Sequence, residues 1–80
     1  MQQILTEALE IEKNGDWDRS HSIVQQYFTR DACWIHAYLH RKEGDLGNAG
    51  YWYHRAEKPM PDYDFNQEWQ ELYNYVTTTK

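Results

Sequence analysis

Two segments of the chain, residues 8–27 and residues 37–56, align with each other at an offset of 29 residues. Small, apolar and turn residues recur in step in the two copies. The paired residues are Ala8 with Ala37, Gly15 with Gly44, Asp16 with Asp45, Trp17 with Leu46, Ser20 with Ala49 and Val24 with Tyr53. Such a pattern is expected when a helix-turn-helix unit is used twice and each copy covers the open face of the other. The alignment therefore predicts an all-α fold.

Helical periodicity and capping residues predict five helices in one domain. The predicted helices cover residues 2–14, 17–29, 32–43, 46–57 and 64–77. Their predicted N-caps, where a short polar side chain precedes the apolar pattern, are Asp16, Asp31, Asp45 and Asp64. On the second helix, the predicted inward stripe consists of Trp17, Ser20, Val24, Tyr27 and Phe28. We expect one repeat over residues 1–29, a second over residues 31–58, and a capping helix over residues 64–77.

Charge and cysteine content narrow the possible partners and the cellular compartment. The 80 residues include 8 Lys and Arg against 13 Asp and Glu, a formal net charge of −5, so we expect neither nucleic acid nor an anionic membrane as a partner. Cys33 is the single cysteine, and it predicts a reducing compartment such as the cytoplasm. We expect no transmembrane span and no signal peptide, since the sequence has no apolar run of about 18 residues and no basic, apolar leader.

The second copy resembles a tetratricopeptide (TPR) repeat. Residues at the small, turn, apolar and terminating positions of that family are Ala37, Gly44, Leu46, Ala49, Tyr53, Ala56 and Pro61. The first copy matches at Ala8, Gly15, Trp17 and Tyr27 but has Ser20 and Val24 where the family prefers Ala and an aromatic residue. The offset of 29 residues is also shorter than the usual 34. The resemblance implies two TPR-like hairpins with a capping helix, and it implies almost nothing about function.

A second resemblance is carried by residues 34–45, WIHAYLHRKEGD, followed by Asn48-Ala49 and by YWYHRA at residues 51–56. This segment is similar to the signature of a family of small microbial proteins without an established activity. It implies kinship but no function.

One face of the third helix carries aromatic and basic residues. These residues are Trp34, Tyr38, Arg41 and Lys42, and in the TPR register such positions line the groove that receives a peptide. Aromatic and Arg side chains supply most of the binding energy at protein interfaces, so this face predicts a binding groove. The alternative is that Trp34 and Tyr38 belong to the core and are covered by Phe65 and Trp69 of the last helix.

The fourth helix presents a second candidate surface. Asn48, Trp52 and Arg55 share one stripe and predict either another binding surface or a homodimer contact. Gly50 lies inside the same helix, where Gly is less favourable than Ala by about 1 kcal/mol. It indicates either a close backbone approach or a surface position under little constraint.

The opposite side of the third helix carries His36, His40 and Glu43, with Asp45 after the turn and His54 on the next helix. The His-x-x-x-His spacing allows two imidazoles to bind one divalent metal such as zinc, with a carboxylate as a further ligand. The alternative is a polar network of buried imidazoles, in which Glu43, Asp45 and Asn48 fix the register of the two helices.

These observations lead to a small cytoplasmic interaction module that binds a partner protein or peptide through its aromatic and basic groove. We expect this module to need no cofactor, and we expect a non-enzyme rather than an enzyme. The alternative is a small-ligand or metal-dependent enzyme that uses the face of His36, His40 and Glu43. Two repeats are few for a free-standing solenoid, so a homodimer is a further expectation.

Overall fold

The computed structural model describes residues 2–78, which form five α-helices and no strands. The helices are α1 (Gln2–Lys13), α2 (Trp17–Val24), α3 (Arg30–Glu43), α4 (Leu46–Ala56) and α5 (Phe65–Thr78). The predicted all-α class is confirmed. None of these helices has both the length and the apolar character that crossing a lipid bilayer requires.

Local residues explain most of the helix ends. The side chains of Asp16, Asp45 and Asp64 each accept a hydrogen bond from a backbone N–H three residues on, at 3.0, 3.2 and 2.8 Å. These bonds satisfy N–H groups that lack a partner within the helix. Gly44 ends α3 in the left-handed region with φ of 92°, which a side chain would disfavour. The predicted boundaries of α4 and α5 are therefore correct to within one residue.

Two predicted boundaries around the loop between α2 and α3 are wrong. α2 ends at Val24 instead of about Thr29, because the chain closes into turns in which Gln26 N–H bonds to Ile23 and Tyr27 N–H to Val24. Thr29 then caps α3 in place of Asp31, its hydroxyl accepting from Ala32 N–H at 3.2 Å. As a result Phe28 lies in the loop and is 63% exposed, not on an inward stripe.

α3 is the central helix, and it contacts each of the other four. From Ala32 to His40 every side chain of α3 is buried. The core that surrounds it combines small residues with large aromatic ones, as a short chain needs if it is to hide enough apolar surface. The largest fully buried apolar and aromatic side chains are Leu5, Leu9, Val24, Cys33, Ile35, Tyr38, Leu39, Tyr53, Leu72 and Val76.

Candidate functional site

Two of the four predicted groove residues of α3, Trp34 and Tyr38, lie in the core. Trp34 is 8% exposed and Tyr38 is 1% exposed, and Tyr75 of α5 packs on Trp34 with ring centroids 5.6 Å apart. The burial of Trp34 and Tyr38 agrees with the alternative expectation that they serve the core. The physical reason is that α5 and α1 each bring a buried acceptor to the polar atoms of these side chains. Tyr38 and Lys42 also line a surface cavity between α1, α3 and α5, so part of this face is open.

The first of these acceptors is Glu68, whose side chain is fully buried. Its carboxylate accepts hydrogen bonds from Trp34 Nε1 at 3.1 Å, Tyr53 Oη at 2.6 Å and Arg41 Nη1 at 2.8 Å. Arg41 also donates to the carbonyl oxygen of Tyr63. A buried carboxylate is tolerated when it is paired and hydrogen-bonded in this way. We call Glu68, Trp34, Tyr53 and Arg41 the Glu68 anchor.

The second acceptor is Glu12 of α1, which is 4% exposed. It accepts a hydrogen bond from Tyr38 Oη at 3.2 Å and forms an ion pair with Lys42 Nζ. Burial, and then the neighbouring carboxylate of Glu12, raises the pKa of Tyr38 far above its ordinary value. We call Glu12, Tyr38 and Lys42 the Glu12 anchor. Together the two anchors engage all four predicted residues, Trp34, Tyr38, Arg41 and Lys42, and of these the side chain of Lys42 is 41% exposed.

Three histidines converge on the other side of α3, and we call them the imidazole cluster: His21, His36 and His40. His36 and His40 lie one helical turn apart on α3, and His21 reaches them from α2. The ring centroids are 4.8 Å apart for His21 and His36, 5.1 Å for His21 and His40, and 5.0 Å for His36 and His40. One ring nitrogen from each lies within 4.8 Å of the other two.

Two tryptophans flank the imidazole cluster. Trp17 of α2 stacks on His21 with centroids 4.9 Å apart and planes at 8°, and Trp52 of α4 stacks on His36 at 3.9 Å and 12°. Trp17 is held in place by a hydrogen bond from its Nε1 to the carbonyl oxygen of Leu39 at 2.8 Å. The rings therefore meet between two flat apolar surfaces, and His36 and His40 retain only 5% and 7% exposure.

The polar atoms of the imidazole cluster are unequally satisfied. The buried Nδ1 atom of His36 has no hydrogen-bond partner among the described residues. Burial, reinforced by His21 and His40, lowers the pKa of His36 to about 4, so its ring is neutral near pH 7. His40 Nδ1 lies 2.5 Å from Glu43 Oε1. If Nδ1 donates to this carboxylate, the lone pair of neutral His40 is on Nε2.

The structure brings some predicted residues of this face together and separates others. His36 and His40 meet as expected, and Glu43 contacts His40. Asp45 is exposed and caps α4, accepting from the backbone N–H of Asn48 and, at 3.4 Å, from its Nδ2 atom. The register lock expected of Asp45 and Asn48 is thus a local helix cap, because both residues lie at the exposed end of the α3–α4 turn.

One predicted residue lies apart from the cluster, and one member of the cluster was missed. His54 is exposed. Within residues 2–78 it belongs to neither of the two residue groups with metal-ligand spacing, which are the imidazole cluster and the group of His40, Glu43 and Asp45. His21, which belongs to the cluster, was not among the residues predicted to bind a metal. The sequence did hold a signal that His21 faces inward: it lies four residues after Trp17 and next to the buried Ser20, and residues four apart share a helix face.

A third feature is an exposed set of rings around Arg55, which we call the Arg55 face: Phe28, Tyr51, Trp52 and Arg55. The guanidinium carbon of Arg55 lies 5.5 Å from the ring centroid of Phe28, 5.8 Å from that of Tyr51 and 5.4 Å from that of Trp52. Phe28 stacks on Trp52 at 6.4 Å, and Tyr51 meets Trp52 edge-on at 5.0 Å. Tyr51 is 54% exposed, so this aromatic surface faces solvent.

Comparison with known proteins gives no relative from which a role could be transferred. No family model, curated protein or solved structure matches the chain significantly.

Proposed function

We propose that the protein is a small interaction module that binds a segment of a partner protein through the Arg55 face. The observation that carries this proposal is the cation placed over three aromatic rings at an exposed site, with Phe28 63% exposed. Arg, Trp and Tyr are the residue types that dominate binding energy at protein interfaces. Contiguous exposed aromatic surface of this kind is typical of a contact site.

The side chains of the Arg55 face are partly ordered in advance, which supports this assignment. Arg55 Nη1 donates a hydrogen bond to Tyr51 Oη at 3.0 Å, and Trp52 is half-buried against His36. The side chains of Arg55 and Trp52 are thus already held before a partner arrives. Immobilising a flexible side chain on binding costs about 0.5–1.5 kcal/mol. A face that is ordered in advance avoids part of that cost. The contrast with α3 is direct, because its aromatic and basic side chains are engaged by Glu12 and Glu68.

The chemistry of the face specifies the partner. A guanidinium offers five N–H donors in a planar fork, which matches a carboxylate bidentately. Phe28 and Tyr51 offer ring surface that an apolar side chain would cover. The favoured partner is thus a peptide segment that places Asp or Glu next to an aromatic or aliphatic residue.

Selection from a random displayed peptide library tests this proposal with the intact chain. We expect enriched peptides to combine an acidic residue with a neighbouring apolar one, and we expect Arg55→Ala to weaken their binding at least tenfold, about 1.4 kcal/mol. Lys13→Ala is the matched control, since Lys13 also lies over an aromatic ring, that of Trp69, at 4.3 Å but outside the Arg55 face. Binding to the Lys13→Ala variant should match that of the unmodified chain.

Phe28→Ser provides a second arm, because Phe28 lies in a loop and its loss leaves the helices intact. It should also weaken the selected peptides, and the indole N–H signal of Trp52 should shift when a peptide is added. The proposal is wrong if the selected peptides bind the Arg55→Ala and Phe28→Ser variants as tightly as the unmodified chain.

A further inference from the structure

Independently of the Arg55 face, the structure brings together three imidazoles, and one ring nitrogen of each lies within 4.8 Å of the other two. They come from two helices, and two of the three rings are more than nine-tenths buried. Such convergence is unexpected for a purely structural cluster, because a buried polar atom normally has a hydrogen-bond partner and His36 Nδ1 has none among the described residues. We infer that His21, His36 and His40 form a binding site for one divalent cation of the zinc class.

The dimensions of the cluster agree with this inference. If all three nitrogen separations were at the 4.8 Å limit, the centre of the triangle would lie about 2.8 Å from each nitrogen, whereas an imidazole nitrogen binds Zn²⁺ at about 2.0–2.1 Å. Each ring would then have to move inward by at most about 0.7 Å. The helices themselves can keep their positions, so most of the site is formed by the fold.

The donor set selects the class of metal. Neutral imidazole is a ligand for zinc, copper and nickel, whereas Mg²⁺ and Ca²⁺ prefer oxygen. Three histidines with one remaining coordination position is the arrangement of open zinc sites. His36 already has the neutral form that a metal ligand requires, since burial lowers its pKa to about 4.

Residues around the cluster complete the site. Glu43 contacts His40 Nδ1 at 2.5 Å and would orient that ring with Nε2 toward the metal, which is the usual task of a carboxylate behind a ligating histidine. The indoles of Trp17 and Trp52 stack on His21 and His36 and shield them from water. Trp52 also belongs to the Arg55 face, so variants that test the metal site should leave Trp52 unchanged.

Calorimetric titration of the chelator-treated chain with Zn²⁺ near neutral pH tests the inference. We expect one ion per chain. His21→Ala should weaken binding at least tenfold with little effect on folding, since His21 is the most exposed of the three, and Glu43→Gln should weaken it by about 10–100-fold. His54→Ala is the matched control, because it removes an exposed histidine outside the cluster, and it should leave binding unchanged. Far-UV circular dichroism verifies that each variant is folded.

Two further measurements discriminate between the cluster and its surface neighbour. The group of His40, Glu43 and Asp45 also has metal-ligand spacing, and Asp45→Asn would weaken binding there while preserving the N-cap of α4. In the unmodified chain, Zn²⁺ should shift the ring nitrogen signals of His21, His36 and His40 and leave those of His54 in place. The inference is overturned by binding of less than one ion per chain, by loss of affinity in Asp45→Asn with none in His21→Ala, or by nitrogen signals of His36 that do not move.

Discussion

The two sides of α3 differ in whether their buried polar atoms have hydrogen-bond partners. Toward α1 and α5, the carboxylates of Glu12 and Glu68 each accept bonds from at least two donors. Toward α2 and α4, three imidazoles lie against one another between two indoles, and the Nδ1 atom of His36 has no partner among residues 2–78. One helix therefore separates a satisfied polar interface from an unsatisfied one.

The difference indicates where stability and where function are located. A satisfied buried network fixes one arrangement of helices, and removing a member leaves the others unpaired. An unsatisfied buried donor or acceptor costs free energy that the rest of the fold must supply. The anchors should consequently dominate stability, whereas the imidazole cluster should be replaceable without unfolding.

Replacing Glu68 should give the largest effect. Glu68→Ala leaves the indole N–H of Trp34, the hydroxyl of Tyr53 and the guanidinium of Arg41 buried without their acceptor, and breaking a buried pair costs about 3–5 kcal/mol. That is a large part of the roughly 5–15 kcal/mol that stabilises a domain. Urea unfolding measures it. Glu7→Ala, which removes an exposed carboxylate, is the control and should change stability by less than about 0.5 kcal/mol. Equal effects of the two substitutions would remove the distinction between the two sides of α3.

The pH dependence of stability should come next in size. The pKa of His36 is about 4 in the folded chain and 6.5 when unfolded, so between these values the unfolded chain binds more protons. The free energy of unfolding of the metal-free chain should therefore fall by about 2–3 kcal/mol as the pH is lowered from about 6.5 to about 4. Urea unfolding at several pH values measures this. His36→Phe keeps a flat ring against Trp52 and should lose that part of the pH dependence. If the two chains give parallel curves, His36 is not the buried neutral group described here.

A smaller effect on stability is expected at Trp17, which flanks the imidazole cluster. Trp17→Phe removes the hydrogen bond from Trp17 Nε1 to the Leu39 carbonyl but retains a ring beside His21, so it should cost about 1 kcal/mol or slightly more. Thermal unfolding detects a loss of this size. A loss as large as that of Glu68→Ala would mean that the cluster side carries as much of the stability as the anchors.

Local chemistry made the helices predictable from the sequence. Asp16, Asp45 and Asp64 are N-caps, and Gly44 requires positive φ, so each boundary is encoded within a few residues. The end of α2 at Val24 was not predicted because no Gly or Pro follows it. Whether the two hairpins form a true TPR-like arrangement stays a prediction.

The partners of the buried polar groups are set by tertiary packing, and the sequence marks them only by position. Glu12 follows Leu5, Ala8 and Leu9 on the buried stripe of α1, and Glu68 lies four residues before Leu72 on α5. A carboxylate in such a position signals a buried acceptor, but its donors come from 15 to 34 residues away along the chain. The meeting of His21 with His36 depends likewise on how α2 packs against α3.

The smallest prediction concerns Gly50 on α4, the helix that carries Trp52 to the imidazole cluster. A close backbone approach was one expectation for this glycine, but a methyl group there would meet only Met60 Cε, at 3.9 Å, an ordinary contact. Gly50→Ala should thus stabilise the chain by about 0.5–1 kcal/mol through helix propensity. Gly44→Ala is the matched contrast, because φ of 92° at Gly44 disfavours a side chain and the same change should destabilise by about 1 kcal/mol or more. Thermal unfolding of the two variants would show shifts of opposite sign, and destabilisation by Gly50→Ala would mean that α4 packs more tightly on the cluster side than the structure shows.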